Sequence, residues 1–187
     1  MQQSMTQEDR QRLIESDEEA QVVAAAQKDP AAFALLYDRY ASPVYRYLLS
    51  RTGSIEESRD LTSQTFLTAY EVFPRYRHRG CFSAWLFSIA RSKFIDHVRR
   101  KNRSAKTAIE PADGPPEPLA QVIESERLAD LRRRIGVLEE DEQELLRLRF
   151  AAGLSYGQMA ALLNKNEDAV KKSVYRLLAR LQSQMEG

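Results

Sequence analysis

The chain predicts an all-α fold: two small helical domains joined by a flexible Pro-rich linker. Apolar residues recur at helical spacing after each helix-start signal, and no stretch alternates with the period of two that a half-buried strand requires. Four prolines fall between Asn102 and Gln121, where no long helix can form. The chain's 187 residues suit one medium domain or two small ones, and at 43% hydrophobic it can bury a core.

Residues 1–15 read as a flexible N-terminal extension. Ser16-Asp-Glu-Glu19 and Ser54-Ile-Glu-Glu57 have capping-box spacing, and Asp29-Pro30 reads as an N-cap followed by proline at the first helical position. Periodic apolar sets follow: Phe33, Leu36, Tyr37 and Tyr40; Leu61, Thr65, Tyr70 and Val72; Leu86, Ala90, Phe94 and Val98. These define an N-terminal helical domain over residues 16–101. The segment 102–121, NRSAKTAIEPADGPPEPLAQ, reads as an extended acidic linker, and residues 122–187 as a second helical domain.

In that second domain, LEEDEQELLRLRFAAG reads as a helix that starts among acids and stops at Gly153. LSYGQMAALL follows with a capping box at Ser155 and Gln158, then the turn NKN, then a last helix capped by Asn166. Two helices joined by so short a turn make a helix-turn-helix. On the last helix Val170, Val174, Leu177 and Leu181 share one face. The opposite face carries Ala169, Lys172 and Arg176, flanked by Asp168, Ser173, Tyr175 and Arg180, with Lys171 beside them. A recognition helix needs this division, burying one side and offering long donors to phosphates and base edges on the other.

A net charge of +1 conceals strong segregation. Residues 75–106 carry ten basic side chains and one acidic, whereas residues 107–126 carry five acids and no base. A nearly neutral chain with such a segment suits a localised polyanion footprint or a solvated basic face, and charge alone does not separate the two. Within it, PRYRHRG interleaves Arg75, Arg77 and Arg79 with Tyr76 and His78, which by residue type alone makes a basic loop. The helix that follows, CFSAWLFSIARSKFIDHVRRK, is apolar through about Ala90 and basic beyond. Its first turns therefore anchor a core, while Ser88, Arg91, Ser92, Lys93, Arg99 and Arg100 are placed for DNA. Trp85, a large apolar residue flanked by Leu86 and Ile89, reads as mainly structural, with a place at the nucleic-acid surface as the alternative.

Several classes are excluded or carry no signal. No apolar run reaches the ~18 residues of a membrane span, and the first residues lack the apolar core of a secretory signal. One cysteine and two histidines, His78 and His97, rule out an internal disulfide and a closed zinc site made from those residues alone. The seven glycines form no phosphate loop. No catalytic residue, metal ligand or cofactor is assigned, nothing indicates a homo-oligomer, and a cytoplasmic location is expected.

SDEEAQVVAAAQKDPAAFALLYDRYASPVYRYL, EESRDLTSQTFLTAY and FSAWLFSIARSKFIDHVRRK, in that order, resemble the second region of sigma factors of bacterial RNA polymerase. LSYGQMAALLNKNEDAVKKSVYRLLARL resembles their fourth region. With only those two regions and a short linker, the chain resembles the extracytoplasmic-function (ECF) type over residues 16–184. The resemblance implies that Asp60, Leu61, Thr62, Gln64 and Phe66, with Arg59 beside them, bind the polymerase core. It implies that the PRYRHRG loop holds a base flipped from the melted non-template strand at the minus-ten element. The final helix, from Asp168 to Arg180, would read duplex DNA at the minus-thirty-five element. An anti-sigma factor is the further partner implied. The linker, with Glu110, Asp113 and Glu117, is either a mimic of nucleic-acid charge threading towards the polymerase active centre or a solvated tether. A conventional helix-turn-helix regulator is the competing function; it accounts for Ser155 to Leu181 but not for the arginine-aromatic loop.

Overall fold

The computed structural model describes residues 7–77, 81–107 and 126–186, and among these every regular element is helical. In the N-terminal half, α1 (Gln7–Lys28) passes through a 3₁₀ turn at Pro30–Ala32 into α2 (Phe33–Thr52). Next come α3 (Ile55–Val72), a 3₁₀ turn at Phe73–Arg75, and α4 (Phe82–Thr107). The C-terminal half holds α5 (Glu126–Gly136), α6 (Glu140–Leu146), a π-helical turn at Arg147–Ala151, α7 (Tyr156–Leu163) and α8 (Glu167–Glu186).

Most of the expected punctuation is where local chemistry puts it. The Asp29 carboxylate accepts the Ala31 N–H at 2.9 Å and Pro30 opens the 3₁₀ turn. Gly53 ends α2 at φ +68°, a backbone state an L side chain resists, and donates its N–H to the Leu49 carbonyl. Ser155 and Gln158 form the complete reciprocal box, at 3.2 and 2.8 Å. Asn166 Oδ1 accepts the Asp168 N–H at 2.8 Å and opens α8.

Four expectations need correction. Ser16 lies inside α1, which starts at Gln7, so it is not an N-cap. At α3 the Ser54 hydroxyl accepts the Glu57 N–H, but the Glu57 carboxylate turns to Lys101 (2.9 Å) and His97 (3.2 Å) on α4, leaving half of a capping box. The segment Asn102–Thr107 continues α4 instead of opening the linker, since no helix breaker precedes Pro111. The helix drawn from Leu138 to Gly153 is split, its last turn widened into the π form before Gly153 reverses the chain at φ +73°.

Leu36, Tyr40, Val44, Leu48, Leu61, Phe82 and Phe87 are buried where α2, α3 and α4 meet, with Val23 and Ala26 of α1 beneath them. Each such side chain contributes roughly 1.5–3 kcal/mol of burial. In the C-terminal half Val170, Val174, Leu177 and Leu181 turn inward, as their spacing predicts. The two halves also touch. The π turn lies on α2 and α7 lies on α4, so Leu148, Ala152 and Met159 share one continuous core with Val44 and Phe87.

Candidate nucleic-acid interface

The head of α4 is built by a carboxylate far away in sequence. Glu19 is buried; it accepts the Phe82 N–H at 2.7 Å and the Tyr40 hydroxyl. Cys81 Sγ accepts the Ala84 N–H at 3.4 Å. Two orphan donors of the first turn are thus satisfied, and a negative charge sits at the positive end of the helix dipole. Burial, the largest effect, and the nearby Glu19 charge push the Cys81 thiol above its ordinary pKa despite hydrogen bonds from Ser83 and Ala84.

This head supports a cavity of about 390 Å³ lined by Arg75, Tyr76, Arg77, Cys81 and Trp85. Tyr76 lies 4.4 Å from Trp85 between ring centroids and stacks on Phe73 at 5.9 Å. Its hydroxyl is pushed up to about 12, first by burial and then by the charge of Glu19. Trp85 packs half-buried against Phe82 and Phe73, in keeping with a mainly structural residue, and it also lines the cavity. Arg75 and Arg77 are exposed at its rim. The aromatic floor and cationic rim suit a planar, unstacked base attached to a phosphate backbone. His78 and Arg79 lie outside the described residues.

Along α4, Ser88, Ser92 and Arg99 are exposed on one face, with exposed Ile95 between them; Arg100 is exposed beside it. Lys93 and Arg91 are part-buried. Arg100 donates to the Asp96 backbone carbonyl at 3.4 Å.

On α8 the helical-wheel division holds. Asp168, Ala169, Lys171, Lys172, Ser173, Tyr175, Arg176 and Arg180 are all exposed. Arg180 is tied down, since Nη2 meets Glu142 at 2.6 Å, and that bond holds the Glu142 carboxyl below its usual pKa. The Tyr175 ring lies 6.2 Å from Tyr156, over which Arg149 stacks at 4.8 Å.

The polymerase-binding set divides. Asp60 and Gln64 are exposed, but Leu61 (1% exposed), Thr62 and Phe66 (5%) face the core. Thr62 donates its hydroxyl to the Ser58 carbonyl at 2.7 Å, and Phe66 meets Tyr37 edge-on at 4.8 Å. These three shape α3 and present nothing outward. The apolar residue continuing the outer face is Leu67, 61% exposed, which the sequence reading missed. Its spacing from Asp60 and Gln64, i+7 and i+3, was the available signal.

The structure also joins residues assigned to different DNA elements. A cleft of about 440 Å³ between the two halves is lined by Arg91 of α4, Glu144, Lys165, and Ser173, Arg176 and Arg180 of α8.

Residues 36–104 match the Sigma-70 region 2 family model, and residues 128–181 match Sigma-70, region 4. The chain is 37% identical over 178 residues to the ECF RNA polymerase sigma factor BldN of Streptomyces coelicolor, covering 92% of this chain and 66% of that protein. It is 31% identical to the ECF sigma factor SigD of Mycobacterium tuberculosis, covering 89% of this chain and 83% of that one. Among solved structures, CnrH in complex with the cytosolic domain of CnrY matches at TM-score 0.63 and 23% identity, over 88% of this chain and 95% of that one. RpoE of Bartonella quintana, in complex with the anti-sigma factor NepR, matches at TM-score 0.58 and 23% identity, over 82% and 96%. Both share the helical fold. Two sigma regions matched in order, together with 31% identity to SigD over most of both chains, place this chain in the family of ECF RNA polymerase sigma factors.

Proposed function

We infer that the chain is a dissociable initiation subunit of bacterial RNA polymerase, acting in the cytoplasm and performing no chemistry of its own. Polymerase binding and minus-ten recognition belong to α1–α4, the unit expected over residues 16–101. Minus-thirty-five recognition belongs to α5–α8, within residues 122–187. Asp60, Gln64 and Leu67 form the outward polymerase face. Tyr76 and Trp85 receive the base extracted from the melted strand while Arg75 and Arg77 hold its backbone; stacking offsets the few kcal/mol that extraction costs. Ser88, Ser92, Arg99 and Arg100 follow the adjoining strand. Arg176 reads the major groove, and Lys171 and Lys172 bind phosphates.

The carrying observation is the cavity at the head of α4, because a conventional helix-turn-helix regulator has no use for it. The solved relatives in complex with CnrY and NepR support an anti-sigma protein as a further partner. Run-off transcription with purified bacterial core polymerase, on promoters of the same genome, tests the reading. Initiation above core alone is expected. No initiation, together with no stable complex with core, overturns it.

A further inference from the structure

Two polar side chains of α1 reach across to the cavity at the head of α4. Glu19 accepts the Phe82 N–H at 2.7 Å with one carboxylate oxygen and the Tyr40 hydroxyl with the other. Gln27 donates its side-chain amide to the Tyr76 backbone carbonyl at 2.7 Å. Just over two turns of α1 separate the pair. Val23 and Ala26, buried between them in sequence, hold that face of α1 against the core it shares with α2 and α4.

The two ties land on the backbone at opposite edges of the aromatic floor. Tyr76 presents its ring to Trp85 at 4.4 Å and meets Phe82 edge-on at 5.6 Å. Moving the Tyr76 carbonyl or the Phe82 amide therefore moves the floor itself. Burial, the largest effect, and the Glu19 charge push the Tyr40 hydroxyl above its ordinary pKa, so it remains a donor to the carboxylate. The Gln27 bond is different in kind. It is exposed, and water would satisfy the carbonyl if the amide were removed, so it adds little net stability. Ordering a long side chain also costs rotamer freedom. Fixing the place of Tyr76 is the effect that remains.

Base capture makes that placement count. Stacking on a protein ring is worth roughly 5- to 150-fold in affinity per base, and pulling the base from its stack costs a comparable amount. With so narrow a margin, a floor already in place binds better than one that must order itself around the strand. We propose that α1 is the clasp of this cavity: Glu19 and Gln27 are positioning residues for capture of the minus-ten base, acting through Tyr76, Phe82 and Trp85 and not by contact with the strand. The proposal rests on the initiation-subunit reading.

The test uses holoenzyme reconstituted from core polymerase and the full chain, with a promoter fragment whose minus-ten non-template strand is single-stranded. Bases of that strand are removed one at a time, leaving abasic sites. The captured base is the one whose loss weakens wild-type binding most. The readout is the affinity for the intact fragment divided by that for the fragment lacking this base. Wild type should give a ratio of roughly tenfold and Gln27→Leu about threefold or less, with core binding and the urea midpoint unchanged. Gln27→Lys restores a donor and should return the ratio towards wild type; its added charge acts on both fragments and cancels. Glu19→Gln, scored once circular dichroism shows native helix content, leaves a single oxygen for two donors and should lower the ratio likewise. General damage to the fold would weaken both fragments alike and leave the ratio in place. An unchanged ratio in Gln27→Leu or in folded Glu19→Gln overturns the proposal, as does a Gln27→Lys ratio as low as that of Gln27→Leu. A wild-type ratio near one at every position removes base capture, and the proposal with it. Wild-type run-off initiation is scored separately, so each of these outcomes is distinct from failure of the sigma reading.

Discussion

The two regions proposed to face DNA are made in opposite ways. The α8 surface belongs to one helix: its inward stripe of Val170, Val174, Leu177 and Leu181 fixes which residues point outward. The cavity at the head of α4 is assembled from a 3₁₀ turn, a loop and a helix start, and its foundation, Glu19, comes from α1. A single-helix face tolerates substitution at each outward position, because removing a side chain there leaves no buried group without a partner. The cavity depends on a buried carboxylate with two specific donors, so a distant change can dismantle it.

That difference sets the sizes of the expected effects. Glu19→Ala leaves the Phe82 N–H and the Tyr40 hydroxyl without their acceptor and should cost about 2–4 kcal/mol of stability. Urea denaturation followed by tryptophan fluorescence reads this directly, since Trp85 is the chain's one tryptophan. A loss below the ordinary surface range would show that Glu19 is not the foundation. Arg176→Ala should weaken promoter-duplex binding by about 1–3 kcal/mol while leaving core binding intact. Equal loss of both would point to misfolding or a wrong assignment of the face. Lys172→Ala should act more gently, weakening binding across sequences and lowering the salt slope by about one. An unchanged slope would remove Lys172 from the phosphate contacts.

The smallest effect concerns the tie between α3 and α4. Burial opposes ionisation of Glu57, but the hydrogen bond and charge of Lys101, and then His97, hold its carboxyl below the usual carboxylate range. A depressed carboxyl stabilises the fold above its unfolded value of about 4.3, and the contribution fades as pH falls through the folded value. Glu57→Gln should therefore cost about 0.2–1 kcal/mol at pH 7 and almost nothing near pH 3. A difference that persists at pH 3 would mean the loss is one of packing, not charge.

Local rules made much of the molecule legible. Helix starts at Asp29, Ser54, Ser155 and Asn166 follow from side-chain oxygens that satisfy nearby backbone donors, and the α8 face follows from its 3.6-residue period. Where the local signal was ambiguous, the sequence misled. Ser16 carries a capping pattern yet lies within a longer helix, and Leu61 and Phe66 stand in a stretch resembling a binding motif yet face inward. The outward neighbour Leu67 becomes evident once α3 has a known rotation against α2 and α4.

By itself, then, the sequence determined the helical class, the segregation of charge, the cationic face of α8 and the two sigma-like regions in their order. Each is written in residues a few positions apart, where spacing along the chain is spacing in space. Only the tertiary structure decided that Glu19 caps α4, that Trp85 both packs and lines a cavity, and that Glu144 docks between Tyr47 and Arg51. Those contacts join residues 63, 97 and 93 positions apart. No periodicity encodes such pairs; they exist because burying apolar faces brings the helices together, and the polar groups carried inside must find partners there.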